Sequence, residues 1–147
     1  MNGMKKAGRA LDDIKIHVKI KLSALWAAVM FCYIYGDIFR LFQLGELQEM
    51  LEGKMWSQPV TQGLLVGTSI IIVIPSVMVF LSLALMPDLS RWANILFGVS
   101  YTALMLYTMT SPGAWAYYIF LGIVEVALTV LIVWYAWTWP KQGEARE

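Results

Sequence analysis

The chain contains four long apolar stretches separated by short polar segments. They occupy residues 22–42, 63–86, 92–110 and 114–139, and each is close to the roughly 20 residues that a helix needs to cross about 30 Å of hydrocarbon. The later connections are short, which forces consecutive helices to run in opposite directions. The pattern predicts an all-α membrane protein whose domain at 22–139 is a four-transmembrane-helix, up-and-down antiparallel bundle.

The first connection, residues 43–62, has a pattern of its own. Leu47, Met50, Leu51 and Met55 recur at helical spacing, while three glutamates face elsewhere on that helix. An apolar face beside a solvated acidic face is typical of a short helix that lies in the membrane interface. We therefore expect a short interfacial helix in the first loop.

The first 21 residues form a basic leader in which apolar and polar residues alternate. From Ile14 to Leu22 every second residue is aliphatic, and a period of two indicates an extended strand rather than a helix. Two interpretations stay open. The segment is either an edge that pairs with a partner chain or an extended lead-in that lies on anionic lipid headgroups, and we prefer the second.

Basic residues are distributed unevenly around the apolar stretches. Six precede the first stretch, Arg91 lies in the second loop and two lie in the tail at 140–147, whereas Lys54 is alone in the first loop. Positive residues favour the cytoplasmic side, so both termini are predicted to be cytoplasmic. With 59% hydrophobic residues the chain is too apolar for a water-soluble domain. Its net charge of +1 gives no reason to expect a nucleic-acid partner.

Three ionisable residues, Asp37, Arg40 and Glu125, lie within the apolar stretches. Each costs roughly 2.5 to 3.5 kcal/mol at the centre of a membrane helix, so we expect them to face the bundle interior and to find partners. Steps of four and three residues place Tyr33, Asp37 and Arg40 on one face of the first helix.

The direction of the side chains suggests a partner for this face. Side chains lean towards the N-terminus of their own helix, so Arg40 and Glu125, on helices of opposite direction, lean towards each other. We predict a buried charged cluster and a candidate ligand-binding site in the outer half of the bundle. The candidate residues are Tyr33, Asp37, Arg40, Tyr118, Glu125 and Thr129. The competing hypothesis is that these charges only fix which helices are neighbours.

Pro75 lies at the centre of the second apolar stretch. A proline cannot donate to the carbonyl four residues earlier, so a kink is predicted near Ile71. A neighbouring helix or Ser76 is expected to satisfy that carbonyl. Cys32 is the only cysteine and His17 the only histidine. We therefore expect no intrachain disulfide, no metal site and no cofactor.

Several short motifs carry a resemblance to a known family. They are Lys21 to Trp26, Tyr35 to Ile38, Ile74 to Met78, Leu81 and Ser82, Arg91 to Ile95, Glu125, and Ala136 to Trp139. As a set they resemble an uncharacterised family, a domain of unknown function, of small four-helix bacterial membrane proteins. The resemblance implies a multi-pass protein of the bacterial inner membrane. The layout is also similar to that of the DoxX-like proteins, although no motif matches them residue by residue.

Three classes of function remain open. A binding or accessory protein would hold a small lipophilic molecule, a lipid or a partner helix near the charged cluster. A proton- or cation-coupled transporter of small molecules would use Glu125 as its titrating carboxylate. An enzyme is least expected, because Asp37 and Glu125 are joined by no nucleophile motif, phosphate loop or metal-ligand set. The expected partners are membrane lipids and a lipophilic small molecule or a membrane protein, and self-association is left open.

Overall fold

The computed structural model describes residues 14–111 and 113–140, and most of these are helical. In chain order the elements are α1 (Val18–Arg40), α2 (Glu46–Leu51), β1 (Lys54–Met55), β2 (Gln58–Pro59), α3 (Gln62–Ala84), α4 (Pro87–Met109) and α5 (Ala116–Trp137). The two short strands form an antiparallel hairpin in which Met55 is opposite Gln58. The short helix predicted in the first loop is present as α2, but it ends at Leu51, and Met55, the last residue of the predicted helical pattern, lies in β1. Most of the predicted leader and tail, residues 1–13 and 141–147, lies outside the described residues.

Three of the long helices, α1, α3 and α5, are long and apolar enough to cross a membrane. Helix α4 has 23 residues, the same length as α1 and α3, but it carries polar residues such as Ser90, Asn94 and Tyr101 along its length. Three helices therefore could span a membrane by length and composition, and the fourth span stays a prediction.

Helix α1 begins earlier than the first apolar stretch. Residues 14–17 are not helical, but α1 starts at Val18, so the predicted extended segment is wrong from Val18 onward. The cause is a cap that the alternation does not reveal. The Nδ1 atom of His17 accepts a hydrogen bond from the backbone N–H of Lys19 at 3.2 Å, which satisfies one of the free donors in the first helical turn.

Lys19 ties the start of α1 to the end of α3. Its ammonium group donates to the carbonyl oxygen of Leu83 at 3.1 Å and to that of Leu85 at 2.5 Å. The last carbonyls of a helix have no partner within the helix and carry partial negative charge, so a lysine stabilises them. This contact aligns the two helix ends.

The four long helices differ in how closely they pack. Helix α1 packs against both α3 and α5, and α5 also packs against α4, whereas α3 and α4 contact each other much less. The buried apolar core lies towards the end where α1 begins and α5 finishes, which we call the terminal end. The core residues are Leu22, Trp26, Val29, Met78, Tyr101, Ile132 and Ala136. The opposite end, which carries α2 and the β-hairpin, is called the hairpin end.

A buried polar network joins three helices at the terminal end. Asn94 on α4 is fully buried, and its Oδ1 atom accepts hydrogen bonds from Trp26 Nε1 at 2.7 Å and from Ser82 Oγ at 3.1 Å. Ser90 completes the network, since its hydroxyl donates to the carbonyl of Ser82 and its own carbonyl accepts from Asn94 Nδ2. Polar groups that satisfy one another in this way fix the neighbours and the register of helices.

Helix α3 runs without interruption through Pro75. The carbonyl that the proline leaves without its helical donor belongs to Ile71, and it accepts a hydrogen bond of 2.5 Å from the Tyr101 hydroxyl of α4. A neighbouring helix therefore satisfies the freed carbonyl. Ser76, the other predicted donor, instead bonds the carbonyl of Ile72 at 3.1 Å.

Helices α4 and α5 approach each other closely at two glycines. A Cβ atom at Gly98 would lie 2.7 Å from Val133 Cγ2, and one at Gly122 would lie 2.6 Å from Met105 Cε. Both distances are too short for ordinary contact, so a larger residue at either position forces its neighbours to move. The close approach sets the position of the residues that follow Gly122 on α5.

Candidate ligand-binding site

A cavity of about 430 Å³ lies at the hairpin end. The buried core occupies the terminal end, and the cavity lies beyond that core, between the helices. Side chains of α1, α4 and α5 and of the first loop line this hairpin-end cavity. Those that bear on its chemistry are Tyr33, Asp37, Arg40, Trp56, Tyr118 and Glu125.

Glu125 is the buried carboxyl of this cavity. It lies on α5 and is only 2% exposed. The Tyr33 hydroxyl of α1 is its polar neighbour, yet its Oε1 atom has no hydrogen-bond partner among the described residues. Leaving a buried acceptor unsatisfied costs on the order of 1–3 kcal/mol. A group that enters the cavity and donates to this oxygen recovers that free energy.

Arg40 does not pair with Glu125 as predicted. Its Nη2 and Nε atoms lie 2.7 Å and 2.8 Å from Oε2 of Glu46, and its guanidinium carbon lies 5.2 Å from the centroid of the Trp56 ring. The physical reason is local, because α1 ends at Arg40 and the following turn returns α2 with Glu46 at its first position. The predicted solvated acidic face of α2 thus includes the counter-ion of Arg40.

Asp37 lies on the cavity wall, one turn before Arg40 on α1. Its side chain is exposed rather than buried, so the predicted buried cluster of three charges does not form. Among the described residues, no basic group lies within ion-pair distance of either Asp37 or Glu125. The carboxyls of Asp37 and Glu125 are therefore not neutralised by an ion pair from the part of the chain that the structure describes, whereas Glu46 on the same cavity wall is paired with Arg40.

The remaining candidates separate into two positions. Tyr118 is partly buried and lines the hairpin-end cavity. Thr129 is fully buried one turn beyond Glu125, where its hydroxyl lies 2.7 Å from that of Thr102 on α4. Tyr118 belongs to the cavity wall, whereas Thr129 joins α4 to α5 and is absent from the lining residues.

The hairpin, which contributes Trp56 to the cavity wall, has a backbone conformation unusual for its residues. Trp56 and Ser57 form its turn with φ of 53° and 60°, a left-handed region that costs non-glycine residues about 1–2 kcal/mol each. Glu49 of α2 holds the turn, since its carboxylate accepts from the Ser57 N–H at 3.1 Å and from the Ser57 hydroxyl at 3.2 Å. These contacts hold Trp56 against Arg40 on the wall of the cavity.

Glu52 provides a contrast with Glu125. It is exposed on the surface of the first loop, away from the cavity. Lys54, at 2.9 Å, and Gln48 donate to its carboxylate and hold the pKa of Glu52 below its usual value. Its charge is therefore already compensated within the loop.

The part of the chain that the structure describes contains no group of three or more His, Cys, Asp or Glu side chains that could hold a metal ion. Cys32 is partly buried and lines the cavity as a free thiol. The cavity wall is formed mainly by residues with carboxyl groups, hydroxyl groups and aromatic rings.

Comparison with known proteins gives one match. A family model described as a family of unknown function (DUF6326) matches residues 13–146, which is nearly the whole chain. No curated protein and no solved structure matches. The chain therefore belongs to the DUF6326 family, whose function is unknown.

Proposed function

We propose that this chain is a four-span membrane protein that binds a small, positively charged organic molecule in the hairpin-end cavity, with Glu125 as the counter-ion. The observation that carries the proposal is Glu125 itself, a residue that lines the cavity, is only 2% exposed and has a buried Oε1 atom with no hydrogen-bond partner among the described residues. A buried carboxyl that is not paired with a cation is costly in a membrane, and such groups mark binding sites or ion pathways.

The charges around the cavity favour a cation over an anion. Asp37 and Glu125 contribute two carboxyls, and the one arginine on the wall, Arg40, is already paired with Glu46. The attraction between a bound cation and these carboxyls is strong because the surroundings have a low dielectric constant. An anion would have to displace the Arg40–Glu46 pair.

The aromatic lining supports the same class of ligand. Tyr33 and Tyr118 line the cavity, and Trp56 beside them already packs against Arg40. The faces of tyrosine rings attract organic cations by about 0.5–2 kcal/mol each. The volume of about 430 Å³ falls within the range of sites that hold small organic molecules.

The fourth span is supported by where α4 places its polar groups. Ser90 and Asn94 are fully buried, and Tyr101 is 5% exposed. The hydrogen bonds of these residues are made inside the protein, while Leu96 and Val99 of the same helix are more than half exposed. A helix of this kind presents an apolar surface to lipid even though its mean hydropathy is reduced.

The basic residues support an orientation. Lys19, Lys21 and Arg91 lie near the terminal end, whereas Lys54 lies in the first loop at the hairpin end. By the positive-inside rule we place both termini in the cytoplasm of a bacterial inner-membrane protein and the cavity on the outer side. The packed core at the terminal end supports binding from one side better than transport through the protein.

Titration of the protein in lipid nanodiscs tests the proposal. The probes are phenyltrimethylammonium and its neutral isostere tert-butylbenzene, which has carbon in place of nitrogen. The protein is compared with Glu125→Gln, which keeps the shape of the side chain and removes its charge. Glu52→Gln is the matched control, because the same change is made at a carboxyl outside the cavity.

We expect the cation to bind to the wild type and to Glu52→Gln with equal affinity. Glu125→Gln should weaken binding by tenfold or more, since loss of one partner of a buried charge pair costs about 2 kcal/mol or more. Binding of the neutral isostere with equal affinity, or an unchanged affinity in Glu125→Gln, would contradict the proposal.

A further inference from the structure

The hairpin-end cavity continues into an apolar groove between α3 and α4. The groove has a volume of about 770 Å³ and is lined by α1, α3, α4, the first loop and one residue of α5. It shares part of its wall with the hairpin-end cavity, including Tyr33, Asp37, Arg40, Trp56 and Tyr118. A molecule held at Glu125 can therefore extend into the groove without leaving the protein.

The groove exists because α3 is narrow where it faces α4. Gly63 and Gly67 lie on its wall, and a Cβ atom added at Gly67 would meet no other atom within 4 Å. Ile71 on α3 and Leu104 on α4 also line it, with 47% and 37% of their surfaces exposed. In a membrane these side chains face hydrocarbon, so the groove is open to the bilayer along its side.

The groove is confined to the hairpin half of the helices. The hydrogen bond from Tyr101 to the carbonyl of Ile71 joins α3 to α4 at the inner limit of the groove, and the hydrogen bonds of Ser82 with Asn94 and Ser90 join the same helices nearer the terminal end. The result is a site with a graded chemistry. Carboxyls lie at one end, and aliphatic side chains lie at the other.

We infer that the ligand is an amphiphile, with a cationic headgroup at Glu125 and a single hydrocarbon chain in the α3–α4 groove, which it enters from the bilayer. This inference rests on the proposed function, because the headgroup position is the one proposed above. Three observations match such an occupant. The walls of the cavity and the groove are continuous, acidic groups lie at one end only, and Ile71 and Leu104 are exposed at the side. A second copy of the chain would instead have to place a helix in the groove.

A series of alkyltrimethylammonium ions from butyl to decyl tests the inference. Binding is measured in nanodiscs against the free aqueous concentration, with empty nanodiscs as the correction for partition into lipid. Burial of a methylene group from water strengthens binding by about two- to fourfold. The affinity of the wild type should therefore rise by that factor for each added methylene.

Two matched variants test where the hydrocarbon chain of the ligand lies. Gly67→Phe places a ring in the groove where space is available. Val66→Phe makes a similar addition one residue earlier, at a position that is 58% exposed and outside the groove. We expect Gly67→Phe to flatten the dependence on chain length while leaving the affinity for phenyltrimethylammonium unchanged, and Val66→Phe to behave as the wild type does.

The outcomes separate the two proposals. If phenyltrimethylammonium binds and Glu125→Gln abolishes binding, but affinity does not rise with chain length or Gly67→Phe leaves the slope intact, the groove inference is wrong and the proposed function stands. If no member of the series binds to the wild type, both fail. A doubled mass in native mass spectrometry that Gly67→Phe converts to a monomer would assign the groove to a second copy and overturn the inference.

Discussion

The hydroxyl of Tyr101 on α4 donates a hydrogen bond to the backbone carbonyl of Ile71 on α3, the carbonyl that Pro75 leaves without a helical donor. The contact joins two helices that otherwise touch little. It also lies at the inner limit of the α3–α4 groove, since Ile71 is part of the groove wall. One side chain thus both compensates for the proline and sets how far the two helices separate.

Replacing Tyr101 with Phe should lower the free energy of unfolding by about 1–2 kcal/mol, because the carbonyl of Ile71 then loses its hydrogen-bond donor. Tyr107→Phe, at an exposed tyrosine on the same helix, is the control and should change little. In a Pro75→Ala background the alanine supplies a backbone N–H that can reach the carbonyl, so the effect of Tyr101→Phe should shrink. Denaturant titration in detergent micelles gives the free energy of unfolding of each variant. If Tyr101→Phe costs as much in the Pro75→Ala background as in the wild type, this role for Tyr101 is excluded.

The Asn94 network supports a second prediction about stability. Asn94→Leu removes the acceptor of both Trp26 Nε1 and Ser82 Oγ and should cost about 1–3 kcal/mol. In that background Trp26→Phe should cost less than it does in the wild type, because its hydrogen bond is already lost. Strictly additive losses in the same denaturant titration would show that the two side chains are not coupled.

Much of the helical framework follows from the sequence, because apolar stretches of about 20 residues have few alternatives to a helix in lipid. Helix α2 is also predicted, from the helical spacing of Leu47 and Met50. The hairpin is missed because its turn residues, Trp56 and Ser57, lack the glycine or asparagine that usually signals such a turn. Its conformation depends on Glu49, a contact that no local pattern reveals.

The candidate site is only partly predictable for a similar reason. Tyr33, Asp37, Arg40, Tyr118 and Glu125 do line one cavity, since helical periodicity and side-chain direction place them on facing surfaces. Which ions pair is decided by the turn after Arg40, and that turn brings Glu46 to the arginine. The groove could not be predicted from the sequence, because it depends on the distance between α3 and α4.

The pairing of Arg40 can be tested by two double-mutant cycles. Arg40→Met combined with Glu46→Gln should give a coupling free energy of up to about 1 kcal/mol, as expected for a partly exposed ion pair. Arg40→Met combined with Glu125→Gln should give a coupling near zero. Unfolding free energies provide both values, and a larger coupling with Glu125 would restore the original prediction and contradict the pairing with Glu46.

The proposed four-span topology predicts which side of the membrane single cysteines face. On a Cys32→Ala background, Ser57→Cys and Ser111→Cys should react with a membrane-impermeant maleimide added outside intact cells. Asp88→Cys should react only after the membrane is permeabilised, because α4 separates it from Ser111. Equal labelling of the cysteines at positions 88 and 111 from one side would mean that α4 does not cross the membrane.

Binding of a cation at Glu125 is tested most directly by native mass spectrometry of the protein released from its own membrane in a mild detergent. The wild type is compared with Glu125→Gln and with the control Glu52→Gln, which changes a carboxyl outside the cavity. We expect a bound cation on the wild type and on Glu52→Gln that is lost from Glu125→Gln. Protein without a bound molecule in all three samples, or the same bound molecule in all three, would contradict it.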